Sequence, residues 1–273
     1  MLISAFSENR TVVALQQLYM RVLGVSLSVG DVGPTEYTIL ALVHDHGGNV
    51  SVKKLKALFG VDDDLGTFLG QLAKKELIER VRDTQDRRGF AVQSTSKGKQ
   101  RIMLLDEAVS AELVACNPHI TERSFLRFAH IMHEMSGCMY GGGESSLIFT
   151  GAALLFMNIY HKQVLKDSSY YGMTSLQMAI LCMFDHAGVF HVDRMGELLS
   201  PSGDVIAYQL QALGEGGFVT DDSDVEVTQK GSQRLAGFSK RLDSSMRKAL
   251  AEQSPDTVQT MRDFCECCAY LFA

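Results

Sequence analysis

A chain of 273 residues, 46% hydrophobic and 21% charged, is long enough for two domains and apolar enough to bury real cores. Its formal net charge of −6 argues, taken whole, against nucleic acid, and six cysteines in this length do not suggest a secreted disulfide framework. The apolar start, 1–6, is too short for a signal peptide, and the greasiest stretch, 147–160, falls short of the ~20 residues a spanning helix needs. A cytoplasmic protein without a membrane partner is expected.

In chain order, residues 11–27 read as a helix with Val12, Leu15 and Val22 on one face. Gly30, Gly33 and Pro34 break it, and a helix over 35–46 ends at Gly47-Gly48. Residues 50–52 form a short extended piece. A short helix at 53–59 turns Leu55 and Leu58 inward, Gly60-Val61 makes a turn, and a helix over 62–75 follows. Asp62 serves as its cap, with Leu65, Phe68, Leu69 and Leu72 inward. Two helices joined by a tight glycine turn are the helix-turn-helix pattern. Strands at 77–82 and 91–94 around the polar turn 83–89 add a wing. A long helix at 97–115, a break at Pro118, a helix to Tyr140 and the linker Gly141-Gly142-Gly143 complete the first half.

The order then recurs: a helix from Leu147, a break near Gly172, helices at 175–186, 193–199 and 204–214, a stubby hairpin, and two helices after Thr228 split by Pro255. Two sequence marks carry the same repeat. Thr95-Ser96-Lys97-Gly98 is answered by Thr228-Gln229-Lys230-Gly231, and Tyr37-Thr38-Ile39-Leu40 with Asp45-His46-Gly47-Gly48 by Met178-Ala179-Ile180-Leu181 with Asp185-His186-Ala187-Gly188. The expected fold is mainly α with small β-wings: two winged helix-turn-helix repeats, 1–140 and 141–273, forming an intramolecular pseudo-dimer that is monomeric in solution. About eight residues are missing between Val219 and Thr228 relative to Ile78 and Thr95. The missing piece is the most basic part of the first copy. From 53 to 101 there are twelve basic and seven acidic side chains; from 192 to 234 there are three basic and eight acidic. Such asymmetry speaks of partners, not of fold.

Four arginines crowd into 80–88, at a hairpin after a helix-turn-helix. An extended guanidinium on a thin hairpin suits a narrow groove of negative potential. The run Arg80-Val81-Arg82-Asp83-Thr84-Gln85-Asp86-Arg87-Arg88, followed by Val92-Gln93-Ser94-Thr95 and Gly98, resembles the wing signature of the MarR family of bacterial winged-helix regulators. Pro34-Thr35-Glu36-Tyr37 and Leu72-Ala73-Lys74-Lys75-Glu76-Leu77-Ile78-Glu79-Arg80 resemble it too. The resemblance spans 34–106 and recurs weakly over 174–242. It implies a transcriptional regulator that binds double-stranded DNA, with a recognition helix in the major groove, a wing arginine in the minor groove, and pairing through the first and last helices. It implies Arg88 as the minor-groove residue, Asp86 holding the wing, and Arg82 and Arg87 near phosphate. Thr67, Gln71, Lys74 and Lys75 are the usable groove-facing groups of the recognition helix.

This chain departs from the family pattern at Asp62-Asp63-Asp64, which suits a helix N-terminus but repels phosphate. It departs further in the second copy, where Thr220-Asp221-Asp222-Ser223-Asp224-Val225-Glu226 replaces the arginine wing. DNA contacts are therefore expected mainly from the first repeat. The alternative is a winged-helix scaffold that binds a protein or a small molecule without DNA. The family resemblance also implies a small aromatic effector, for which Tyr19, Tyr37, Tyr160, Tyr170 and Tyr171 are candidates. Cys265, Cys267 and Cys268 read as core residues, and His44, His46, His130 and His133 as ordinary helix-face histidines. No metal, cofactor or catalytic motif is expected, and no enzyme activity.

Overall fold

The computed structural model describes residues 5–59, 64–83, 89–140, 145–187, 195, 203–220 and 225–272. These divide into two compact units, Val22–Asn158 and Met1–Arg21 with Ile159–Ala273. The division falls within two helices, α1 (Asn9–Gly30) and α7 (Gly151–Tyr170). By length and apolarity α1 alone among the described helices passes as a membrane span, and half of its best stretch is buried.

In the unit Val22–Asn158, α1 runs past its expected end at 27 until Asp31, which takes the left-handed φ of 49°. Helix α2 (Pro34–Asp45) starts because Pro34 presets the first helical φ and Glu36 reaches back to accept the Gly33 N–H at 2.8 Å. Gly47 and Gly48, at φ 71° and 86°, turn the chain into strand β1 (Asn49–Ser51). Then come α3 (Val52–Phe59) and α4 (Leu65–Lys74). Asp64, not Asp62, is the α4 cap, its carboxylate accepting the Thr67 N–H at 3.3 Å; Asp62 itself lies outside the described residues. Leu55, Leu65, Leu69 and Leu72 are buried, whereas Leu58 and Phe68 are only half-buried.

Strands β2 (Ile78–Arg82) and β3 (Phe90–Ser94) pair antiparallel from Ile78 opposite Ser94 to Arg82 opposite Phe90. The sheet order is β1-β3-β2, with Val50 opposite Val92. Helices α5 (Ser96–Cys116) and α6 (Glu122–Tyr140) follow. Helix α2 packs against α4, α5, β1 and β3, which is why Ile39, Leu40, Leu42 and Val43 are sealed on every side. Residues 145–151 are fastened by two carboxylates. Asp106 accepts the Ile148 and Phe149 N–H groups at 2.9 and 2.7 Å, and Asp45 accepts the Ser145 hydroxyl and the Gly151 N–H at 2.6 and 2.7 Å. Burial pushes both carboxyl pKa values up, and these donors partly oppose it.

The other unit is built on the C-terminal part of α7 with α8 (Ser175–Ala187), α9 (Gly203–Glu215), α10 (Gln229–Ala249) and α11 (Pro255–Phe272). Helix α8 packs on α9 and α10, and Phe184 on α8 and Phe238 on α10 are buried. The expected hairpin is present as one antiparallel bridge, Val219 to Val227, with the Thr220 N–H donating to the Glu226 carbonyl at 2.8 Å. Of the expected helix at 193–199 only Met195 is described, helical and buried, and the linker 141–143 lies outside the described residues.

The same local bonds occur at matching places in each unit. Thr95 caps α5 by accepting the Gly98 N–H at 3.0 Å, and Thr228 caps α10 by accepting the Gly231 N–H at 3.1 Å. Both threonine hydroxyls donate backward, to the Glu76 and Gly217 carbonyls at 2.7 and 2.8 Å. Glu76 and Gly217 each take a left-handed φ, 60° and 70°, where α4 and α9 end. The cap of α2 by Glu36 is matched at α8, where the Gln177 side chain accepts the Thr174 N–H at 2.9 Å. Arg101 donates to the Val29 and Gly30 carbonyls, and Arg234 to the Tyr171 carbonyl.

Candidate nucleic-acid interface

The outward face of α4 is low in relief. Thr67, Gln71 and Lys74 are exposed on one stripe, and open space surrounds Gly70. Thr67 is partly engaged, since its hydroxyl donates to Asp64 Oδ2 at 2.5 Å. Lys75 faces elsewhere: its ammonium lies 3.3 Å from both carboxylate oxygens of Glu36 and donates to the Asp31 carbonyl. Glu36 is 5% exposed, so Lys75 neutralises a nearly buried carboxylate and braces the corner before α2.

On the wing, Arg80 and Arg82 are exposed on β2, and the Asp83 N–H donates to the Gly89 carbonyl at 3.2 Å at the base of the turn. Asp86, Arg87 and Arg88 lie outside the described residues. Beside the wing base is an open groove of about 630 Å³ lined by Ser51, Val52, Lys53, Lys56, Arg80, Asp83, Gly89 and Phe90. Three cations and a 57% exposed phenylalanine ring face one Asp there. The sheet order explains the gathering: β1 pairs with β3, which sets the start of α3 near the β2–β3 hairpin. Reading the sequence for the wing tip alone passed over Lys53 and Lys56. Their i, i+3 spacing on an amphipathic helix was the available signal. Such a groove can take an anion against an apolar wall.

The five candidate tyrosines have different surroundings. Tyr37 is sealed and its hydroxyl finds no partner among the described residues. Tyr160 is equally buried and donates to the Phe6 carbonyl at 2.8 Å. Tyr19 stacks on His161 with centroids 3.8 Å apart and planes 13° from parallel. Tyr170 and Tyr171 are brought together edge to face at 5.1 Å, with the Arg241 guanidinium 3.8 Å from the Tyr170 ring centre and Arg234 5.4 Å from that of Tyr171. Arg241 also donates to buried Asp167 at 2.8 Å.

Cys182, Cys265 and Cys268 are fully buried, and burial pushes all three thiols up, away from the reactive thiolate. His44 meets the Ser146 hydroxyl at 2.9 Å, His133 donates to the Leu147 carbonyl at 2.7 Å, and His130 pairs with Glu134 at 3.4 Å on an exposed face. Among the described residues no three His, Cys, Asp or Glu side chains are grouped to hold a metal ion.

The MarR family model matches residues 32–90, which run from the turn before α2 to the first residue of β3. Similar solved structures include the YusO protein from Bacillus subtilis, at 23% identity and a TM-score of 0.35 over 44% of this chain and 85% of that one. A MepR-like protein complexed with pseudoligands is similar at 21% identity and a TM-score of 0.31, over 44% of this chain and 84% of that one. No curated protein matches the chain.

Proposed function

We propose that the chain is a transcriptional regulator of MarR type that binds double-stranded DNA mainly through its first winged-helix repeat. One observation carries the reading: the family match spans the α3–α4 and wing segment, where one groove gathers Lys53, Lys56 and Arg80 and where Lys74 and Arg82 are exposed. In this reading α4 enters the major groove with Thr67, Gln71 and Lys74 toward base edges. The wing reaches the minor groove with Arg88, held by Asp86, while Arg82 and Arg87 meet phosphates. The groove cations Lys53, Lys56 and Arg80 clamp the adjacent backbone, and each phosphate they neutralise adds affinity by counterion release.

The tandem reading, repeats at 1–140 and 141–273 acting as a monomeric pseudo-dimer, draws support from the matched caps at Thr95 and Thr228 and the matched helix ends at Glu76 and Gly217. The Tyr170–Tyr171 pair, with Tyr170 exposed and Tyr171 half-buried, is the candidate effector site, the chain works in the cytoplasm, and it catalyses no reaction. A second reading, a scaffold that binds protein instead of DNA, is favoured by the exposed Tyr208 on α9.

The test is a salt titration of binding to genomic duplex fragments. Replacing Arg87 and Arg88 by Ala is expected to weaken binding on all sequences and lower the salt slope by ~1 for each phosphate no longer neutralised. Unchanged affinity and slope remove the wing from the mechanism, and the absence of any duplex binding moves the reading to the scaffold.

A further inference from the structure

Counted back from the left-handed residue that ends each helix, Glu76 for α4 and Gly217 for α9, Tyr208 stands where Thr67 stands, Ala212 where Gln71 does, and Glu215 where Lys74 does. A face that offers a hydroxyl, an amide and an ammonium on α4 offers an aromatic ring, a methyl and a carboxylate on α9. Tyr208 is 68% exposed and Val205, one turn before it, 40%. Asp204 is exposed beside them, and Glu215 holds the Gln211 amide at 2.9 Å. Charge works against a phosphate backbone here: from 195 to 229 the sequence has seven acidic residues and no Lys, Arg or His.

We propose that this α9 face is a protein-docking surface whose partner is a cationic protein segment, seated on Tyr208 and Val205 and held by Asp204 and Glu215. An exposed tyrosine is a preferred interface anchor, because it adds large contact area with few rotatable bonds and its ring face attracts Lys and Arg. A carboxylate rim gives such a segment its orientation and a fast, salt-sensitive encounter. The face is the convex side of a helix, which favours a macromolecule over a small ligand.

The test places the photo-crosslinking residue benzoylphenylalanine at position 208 of the full chain, in the cells that naturally make it, and identifies the adduct by mass spectrometry. The expected adduct is a protein segment of net positive charge. As a synthetic peptide that segment should bind the wild-type chain and bind about tenfold or more weakly to Tyr208→Ala. The double variant Asp204→Lys, Glu215→Lys should weaken it too, as should raised salt. An adduct with nucleic acid or with a second copy of this chain, no adduct at all, or peptide binding indifferent to Tyr208→Ala overturns the proposal. Duplex affinity of Tyr208→Ala, read beside Lys74→Ala, keeps this surface separate from the DNA reading: the first substitution is expected to leave it unchanged and the second to lower it.

Discussion

Lys75 points back across its own domain to Glu36, with its ammonium 3.3 Å from both carboxylate oxygens. The pair joins the end of α4 to the cap of α2, because Glu36 also accepts the Gly33 N–H at 2.8 Å. Neighbours in sequence thus have different duties, Lys74 exposed and Lys75 bracing. Lys75→Met is expected to cost about 1–2 kcal/mol, since it strands a nearly buried carboxylate whose partner was itself part-exposed. Duplex affinity at temperatures well below the melt should hold. Lys74→Ala should do the reverse, leaving stability within ~0.5 kcal/mol and lowering the salt slope by ~1. Urea melts and a salt titration on both variants check the exchange, and a DNA defect in stable Lys75→Met returns Lys75 to the interface.

Gly98 and Gly231 meet a backbone carbonyl where a side chain would begin. A Cβ at Gly98 would lie 1.9 Å from the Leu77 oxygen, and one at Gly231 2.3 Å from the Phe218 oxygen. Backbone cannot swing aside as a flexible side-chain end does, so Ala at either site forces the capped helix off the turn that carries that carbonyl. The expected loss is about 3 kcal/mol for each, the upper end for overpacking. Gly70→Ala is the control: it adds a methyl in open space and should be neutral or stabilising by up to ~1 kcal/mol. Denaturant midpoints of the three variants decide it. A neutral Gly231→Ala would show that the second threonine cap tolerates a looser seat than the first.

Much of this fold was legible because its signals are local. Helix ends fall at Gly, Pro, Thr and Asn positions whose chemistry acts within four residues, as at Pro34, Thr95 and Thr228. The two Thr-x-x-Gly marks read as repeats in sequence and carry the same bonds in the structure. The site was less legible because it is made by pairing. Nothing near Lys53 announces Arg80, since the two meet only through the β1-β3-β2 order. Nor does the spacing of Lys74 and Lys75 reveal that one of them turns to Glu36. Asp64 displaced Asp62 as the cap because the helix begins only at Leu65, a boundary set by burial of Leu65 and not by the first available carboxylate.

His161 supplies a pH test confined to one unit. Burial holds its pKa down to about 4, while the ring stacks on Tyr19 and its Nδ1 meets Gln16 Oε1 at 3.0 Å. The unfolded chain takes up the proton near 6.5, so between about pH 6.5 and 4 the unfolded state binds more protons than the folded one. Stability from this residue is complete above that window and is lost as the pH falls through it. With solvent screening of a half-buried ring the loss is about 2 kcal/mol. His161→Phe keeps the stack and removes the titration. Its unfolding free energy should therefore decline less than that of the wild type between pH 7 and 4.5, by urea melts at each pH. Parallel declines would assign the acid sensitivity to other groups.

In the proposed DNA reading the operator is expected to be asymmetric. A homodimer with two equal wings reads near-palindromes whose half-sites lie about one helical turn apart. In this chain the stretch 53–101 carries five more basic than acidic side chains, and 192–234 five more acidic than basic. Duplex DNA bears one negative charge per ~1.7 Å of axis, so in the proposed DNA reading the second stretch is repelled where the first is drawn in. The α9 face deepens the contrast, with Tyr208 and Glu215 outward where α4 shows Thr67 and Lys74. A footprint on the full chain is therefore expected to cover a single half-site, and binding-site selection to return a non-palindromic sequence. The salt slope should correspond to the phosphates of one winged domain. Replacing Asp221, Asp222 and Asp224 by Lys is expected to lengthen the footprint toward two half-sites if charge is what holds the second repeat away. A wild-type footprint that is symmetric over two half-sites refutes the asymmetry. An unchanged footprint in the lysine variant shows that shape, with Tyr208 in the recognition position, excludes the second half-site.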